Sequence, residues 1–417
     1  MSKRVFSGIL LIFLLIFMFA SAFDIQPAKA TGTIRIRADG SIDPPTAPIV
    51  TFDYVTYVFT DNVYDSITVE RSNIVLDGQG YTLQGTGPYG DNGIALWSVD
   101  NVAIINAIIT NTHSGISLGF SSNSTVSNNN IANNVLGVVL AYSSNTTVVG
   151  NTFTNDGLMV AYSYENFVQG NLVNGKPLVY LEGVSDYSVG NAGQVILVKC
   201  KNIQVESLNL SGTDIAIQLL NTTDTKIIDN NVAANNGHGI LLVYSSSNAI
   251  VGNNITANNY YGIYLYYSSN NMFCDNNIID NTHQVYSEQS VNIWYDVYPS
   301  GGNYWSDYVD VDSHSGQYQN KTSGDGIWDH PYVIDANNQD DYPLVRPFWY
   351  WSSPILGDVN KDMKVDGKDV VFIVSHWSLS IGNPRYDPLY DLDVPKDGRI
   401  DGKDLAIVAK CFGTYYP

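Results

Sequence analysis

A chain of 417 residues exceeds the usual compact domain and calls for two domains or one elongated repeat structure. Its 40 acidic residues against 20 basic ones leave a formal charge of -20, which repels phosphate backbones and anionic headgroups and so argues against nucleic acid and membrane surfaces as partners. Three cysteines far apart, Cys200, Cys274 and Cys411, make no disulfide framework, so packing and ions must supply stability.

The N-terminus reads as an export signal over residues 1–30: Lys3 and Arg4 precede the apolar run Ile9 to Phe19, and Ala28-Lys29-Ala30 offers a small-x-small cleavage site. The expected location is therefore secreted, extracellular or at the cell surface. A membrane enters only if the segment is retained as an anchor, since the run is barely long enough to span a bilayer.

From Gly115 onward one phrase returns with a period of about 20 to 23 residues, the length of a stacked solenoid coil. Gly115 to Asn123 is followed by Gly137 to Asn145 and Gly157 to Asn166, and the phrase resumes at Ala216 to Asp224, Gly239 to Asn248 and Gly262 to Asn270. Each coil carries short alternating apolar stretches such as Ile263-Tyr264-Leu265, and no stretch keeps the helical spacing that many leucine-rich repeats need. Asn129, Asn151, Asn171, Asn231, Asn254 and Asn277 recur once per coil and are expected at sharp left-handed corners, their amides stacked as a ladder.

Three segments carry a more specific resemblance: Ile36 to Pro45 with Asn73 to Leu83 at the start, Gly175 to Val198 where the repeat breaks, and Gly301 to Tyr308 with Asp325 to Tyr332 and Tyr342-Pro343-Leu344 at the close. Together these look like archaeal NosD-like proteins. The resemblance implies a right-handed parallel β-helix over residues 31–295 and a closing segment over 296–347, followed by a proline- and aromatic-rich linker over 348–356.

Residues 357–417 change texture. Asp358-Val359-Asn360-Lys361-Asp362-Met363-Lys364-Val365-Asp366-Gly367-Lys368-Asp369 places oxygen donors at loop positions one, three, five, nine and twelve, with the Lys364 carbonyl at seven, the pattern of an EF-hand calcium loop. A second copy over Asp393 to Asp404 offers Asp393, Asp397, the Arg399 carbonyl, Asp401 and Asp404. It has Pro395 at position three, so a ligand is missing there or a shifted loop recruits Asp391. A final Asp and a following apolar helix in each copy resemble a small α-helical type I dockerin. That resemblance implies Ca2+ as cofactor, a cohesin-type protein as partner, and a recognition surface at Gly367-Lys368 and Gly402-Lys403. The two surfaces match, which would let a receptor bind in either orientation.

Other chemistry is thin. Copper wants clustered soft or imidazole ligands, and the histidines are dispersed, with His283, His314 and His330 the set that could converge. Gly237-His238-Gly239 looks like a polygalacturonase motif, but Asp214 stands alone one coil upstream and no Lys or Arg occurs between Lys226 and Lys321. No catalytic residue is assigned. Tyr260, Tyr264 and Tyr266 crowd one coil, while Phe120, Tyr142, Tyr162 and Tyr244 occupy the position of Tyr267 in others, a pattern that suits glycan binding or a packed aromatic ladder. Asp310, Asp312, Asp325 and Asp329 form a further candidate calcium group. The reading is a surface calcium-binding protein that presents a glycan- or protein-binding face and docks to a cohesin; the alternative is a dockerin-borne polysaccharide hydrolase or lyase.

Overall fold

The computed structural model describes residues 32–87, 90–348, 359, 365–380, 383, 385, 390, 392 and 398–412. The expected export signal lies outside them, as does nearly all of the linker. Two compact units divide the chain, Met1–Asn171 and Leu172–Pro417.

Each unit contains a parallel β-helix whose coils contribute one strand to each of three sheets. In the first unit the strands Ser114–Gly119, Thr125–Ser127 and Asn130–Ala132 make one coil, and Leu136–Ala141, Thr147–Val149 and Thr152–Thr154 make the next. Ile116 pairs with Val138, Val126 with Val148 and Ile131 with Phe153, so chemically equivalent residues stack. The pleat sends these apolar residues inward and the intervening residues outward. Ile116, Leu118, Val126 and Ile131 are fully buried, as are Val138, Leu140, Val148 and Phe153. In the second unit Ile240, Ile250 and Ile255 stack on Ile263, Phe273 and Ile278 by the same logic. Where the repeat breaks, the strand Lys176–Glu182 rejoins the ladder by pairing in parallel with Gln194–Val198.

The corners follow one local rule. A residue with positive φ turns the chain, and the next residue points a small polar side chain inward to serve the coil beside it. Asn128 (φ 55°), Gly150 (φ 67°) and Gly170 (φ 68°) precede Asn129, Asn151 and Asn171. The Asn129 side chain donates to Asn151 Oδ1 at 3.0 Å, and Asn151 donates to Asn171 Oδ1 at 3.0 Å. Each Oδ1 also accepts the backbone N–H of the preceding ladder residue, so the amide satisfies a buried group the sharp turn would orphan. The expected ladder is therefore present, but its members are not the left-handed residues; their predecessors are.

In the second unit the ladder is displaced by one residue from the sequence expectation. Asn230, Asn253, Asn276 and Asn303 are the buried rungs, linked at 2.9 to 3.0 Å. Asn231 and Asn254 start the following strands instead, where Asn254 donates to Asn231 Oδ1 at 2.8 Å in a second row. Asn253→Ala should cost roughly 3 kcal/mol, because the Asn230 backbone N–H and side-chain amide lose their shared acceptor, Asn253 Oδ1, inside the core. A thermal melt checks this; Asn254→Ala, in the half-buried row, should cost clearly less.

The closing segment caps the second unit with aromatics. Trp294 stacks on Phe273 at 4.3 Å, and Trp305 stacks on Tyr332 at 4.1 Å. In the tail, α1 (Gly367–Ser375) and α2 (Gly402–Cys411) bury Ile373 and Val408 against Val365 and Ile400, a core built from corresponding residues of the two copies.

Candidate binding faces and calcium loops

On the strand Tyr261–Tyr266, Ile263 and Leu265 fill the core, so alternation sends Tyr264 and Tyr266 outward. Tyr264 stacks on Tyr286 of the next coil at 4.7 Å and lies 4.9 Å from His238. Tyr266 meets Tyr267 at 4.7 Å and Tyr244 at 5.8 Å. Tyr260 is half exposed and sits 5.3 Å from His238. The three predicted tyrosines therefore share one aromatic region, divided between the Tyr264 and Tyr266 groups. Sequence reasoning missed Tyr286 and Glu288, which lie past the last clear repeat. The Tyr286 hydroxyl donates to Glu288 at 2.8 Å, and that bond, with burial, pushes the phenol up to about 12.

His238 belongs to this aromatic group rather than to a catalytic pair. A Cβ on Gly237 would lie 2.7 Å from the Asp214 carbonyl, and one on Gly239 would lie 2.7 Å from the Gly262 carbonyl, so both flanking glycines serve close coil packing. Burial pushes the imidazole down to about 4, which keeps it neutral and a poor proton donor near pH 7. Its Nδ1 is buried without a hydrogen-bond partner, and Asp214 is fully buried beneath the corner.

The three histidines His283, His314 and His330 do not converge. His314 Nδ1 pairs with Asp329 at 2.7 Å, His330 Nδ1 with Asp310 at 2.7 Å, and His283 packs on Tyr261 at 5.0 Å. The four aspartates proposed as a further calcium group are occupied by turn amides. Asp312 accepts from Asp325 N and Gly326 N, Asp325 from Gly316 N, Asp310 from His330 N, and Asp329 from Ser313 N and His314 N. Among the described residues no group of three or more His, Cys, Asp or Glu is placed to hold a metal.

In the tail the two copies of the loop pattern are visible from their twelfth positions. Asp366 caps α1 by accepting from Lys368 N, and Asp369 accepts from Asp366 N at 2.8 Å; Asp401 caps α2 from Lys403 N, and Asp404 accepts from Asp401 N at 2.7 Å. The remaining carboxylate oxygen reaches the start of each loop: Asp369 Oδ1 accepts from Val359 N at 2.8 Å, and Asp404 Oδ1 from Leu392 N at 2.5 Å. Both carboxylates are buried. Leu392 thus stands to Asp404 as Val359 stands to Asp369, the register in which Asp391 would be position one and Asp393 position three. Val394-Pro395 becomes a two-residue insertion, and Lys396 to Asp404 then repeats Lys361 to Asp369 in register. Asp358, Asn360, Asp362, Lys364, Asp393 and Asp397 lie outside the described residues. Gly367, Lys368, Gly402 and Lys403 are exposed in the first turns, and Arg399 bridges to Ser380. The two faces are not identical: α1 exposes Val371, Phe372, Val374 and Ser375 where α2 has Ala406, Ile407, Ala409 and Lys410.

Residues 55–192 and 182–309 match the family described as periplasmic copper-binding protein (NosD), and residues 356–412 match the dockerin type I domain. The NosD matches cover more than half of the chain. The protein belongs to the NosD family. Among curated proteins none matches the chain. Solved structures similar to this NosD-family chain include a double mutant of the periplasmic alginate epimerase AlgG, at 14% identity over 58% of this chain and 67% of that one, with a TM-score of 0.31. The A-module of the Azotobacter vinelandii mannuronan C-5 epimerase AlgE6 is 14% identical over 56% of this chain and 80% of its own, with a TM-score of 0.24. A tailspike protein mutant of E. coli bacteriophage HK620, in complex with a pentasaccharide, is 15% identical over 56% of this chain and 51% of its own, with a TM-score of 0.28.

The family description implies copper, and the residues present do not fit it. Copper ligands are thiolates, thioethers or clustered imidazoles. The Cys200 thiol contacts the Leu181 and Val198 carbonyls inside a corner, and burial pushes the Cys274 thiol up to about 12, which suppresses its thiolate. His314 and His330 are tied to separate aspartates and His283 packs on Tyr261, so these three form no imidazole cluster. Calcium is different, because the tail's donor set is hard oxygen and two of its carboxylates are already held against their loops.

Proposed function

We propose that this NosD-family chain is an exported surface protein that binds a glycan through the outer face around Tyr264 and docks through its dockerin to a cohesin-type domain. The observation that carries the reading is the outward Tyr264–Tyr286 stack with Glu288 beside it, joined in one chain to paired calcium half-sites. Stacked rings present their edges and hydroxyls, which can hydrogen-bond sugar hydroxyls, and the carboxylate adds an acceptor. Calcium, when bound to Asp358, Asn360, Asp362, the Lys364 carbonyl, Asp366 and Asp369, and to Asp391, Asp393, Asp397, the Arg399 carbonyl, Asp401 and Asp404, neutralises the loop carboxylates and lets the tail fold. Gly367-Lys368 and Gly402-Lys403 then meet acidic groups on the partner, as exposed pairs worth about 0 to 1 kcal/mol each. The neutral, acceptor-less His238 counts against the hydrolase alternative.

A polysaccharide panel, scored for both retention and product release, tests the glycan half. Retention that falls about 10-fold or more in Tyr264→Ala and Tyr286→Ala, with no product released, is the expected result. Product release from any substrate, or retention indifferent to both changes, would overturn it.

A further inference from the structure

The first unit carries a different aromatic feature, at the end of the strand Ile94–Trp97. Trp97 faces outward and is 67% exposed, an unusual position for the largest apolar side chain. Its neighbour in the next coil is Gly119, and a Cβ there would fall 2.4 Å from Trp97 Cε3 and 2.6 Å from Cζ3. The indole therefore rests in a notch that only glycine leaves open, which fixes its orientation before any ligand arrives. Phe120, turned outward at φ 49°, stands nearly at right angles to it, 5.0 Å away at 72°. Phe120, Tyr142 and Tyr162 then stack on one another at 4.9 Å, covering their own faces, whereas Trp97 ends the row with indole surface open to solvent.

The floor beside this corner is small and uncharged. Ala95 and Ser117 form one outward row with Val139, and Trp97 and Gly119 form the next with Ala141. At its edge Arg35 and Glu70 pair at 2.7 Å, with Glu70 one step beyond the Val69–Leu96 pair and so in register with Trp97, while the exposed Asp100 carboxylate accepts from Ser122 N, two residues past Phe120. This acidic edge, on a chain of charge -20, repels a polyanionic chain and leaves a neutral one free to approach.

We infer that Trp97, Phe120 and the Gly119 notch form a second glycan site, which takes a neutral, unbranched polysaccharide of pyranose rings. An apolar sugar face stacks on the indole, Phe120 limits its position sideways, and the Arg35–Glu70 pair and Ser117 serve the ring hydroxyls. The site belongs to the first unit and the Tyr264 face to the second, so either can fail alone.

Calorimetric titration of the full chain with cellohexaose, mannohexaose and, as the charged control, hexagalacturonate tests the inference. At least one neutral hexasaccharide should bind, and its affinity should fall 10-fold or more both in Trp97→Ala, which removes the platform, and in Gly119→Val, which displaces it while keeping the tryptophan. Circular dichroism confirms that each variant stays folded, and Trp97→Tyr, which keeps an aromatic ring at this exposed position, should retain part of the binding. Tyr264→Ala should leave this affinity unchanged. Four results would overturn the inference: no binding of either neutral sugar, binding indifferent to both Trp97→Ala and Gly119→Val, hexagalacturonate binding that depends on Trp97, or sedimentation showing self-association lost in Trp97→Ala, which would make the occupant a second copy of the chain.

Discussion

Stripping calcium with excess chelator should lower the far-UV helix signal of the protein, and millimolar calcium should restore it. The loops carry carboxylates at positions one, five, nine and twelve, which repel one another until a cation binds, so binding free energy becomes folding free energy. The register set by Asp404 and Leu392 sharpens this into a result that the uninserted alignment does not give. Asp391→Ala should weaken calcium binding at the second loop on the order of 10- to 100-fold, as Asp358→Ala should at the first. Deleting Val394 and Pro395 together should leave the second site as tight or tighter, because it restores the spacing of the first copy. Calorimetric titration of each variant separates the alternatives. An Asp391→Ala variant with normal calcium affinity, or a deletion that abolishes the second site, would return Asp393 to position one.

That register shows where sequence reading stops. The two loops are easily recognised by their carboxylates, yet Asp391 and Asp393 both stand at plausible first positions, and only the Leu392 N–H reaching Asp404 distinguishes them. The same ambiguity produced the displaced ladder. Asn230-Asn231, Asn253-Asn254 and Asn276-Asn277 are doublets, and composition cannot say which member points inward, because a shift of one residue exchanges the faces of a strand. In the first unit Gly150 and Gly170 precede Asn151 and Asn171, so the inward-pointing neighbour is unmistakable. The fold class was legible because its signal repeats in every coil. The aromatic sites were legible only where they repeat: Tyr264 and Tyr266 stand in a crowded coil, whereas Tyr286 follows the last clear repeat and Trp97 precedes the first. Cross-coil register brings Tyr286 to Tyr264 and Gly119 to Trp97, and register is a property of the folded chain.

Asp340→Ala should unfold the closing segment, at a cost of roughly 3 to 5 kcal/mol. The asparagine ladder has a direction: each side-chain N–H2 donates to the next Oδ1, so its last member, Asn303, needs an acceptor beyond the coils. Asp340 supplies it, accepting from Asn303 N at 2.7 Å, Asn303 Nδ2 at 3.3 Å, Trp305 Nε1 at 2.9 Å and Tyr342 N at 3.1 Å. Removing the carboxyl leaves these donors without it, beneath the Trp305–Tyr332 stack. The carboxyl is wholly buried, and burial pushes it up to about 7 despite the four donors, so the folded chain holds this proton at pH values where the unfolded chain has lost it. Proton binding then favours the folded state: the contribution is full below the ordinary aspartate value of about 4 and is lost as pH rises through about 7. Asp156, which ends the Asn134 row in the first unit, is pushed up to about 7 by the same burial and adds a slope of the same sign. The comparison must therefore be with Asp340→Asn, which keeps a hydrogen-bonding oxygen and does not titrate. Between pH 4 and pH 7 the wild-type melting temperature should fall relative to that of Asp340→Asn, and above pH 8 the difference should be constant. Parallel profiles across the whole range would mean that the four N–H groups hold the carboxylate ionised throughout, and would remove Asp340 as a source of pH dependence.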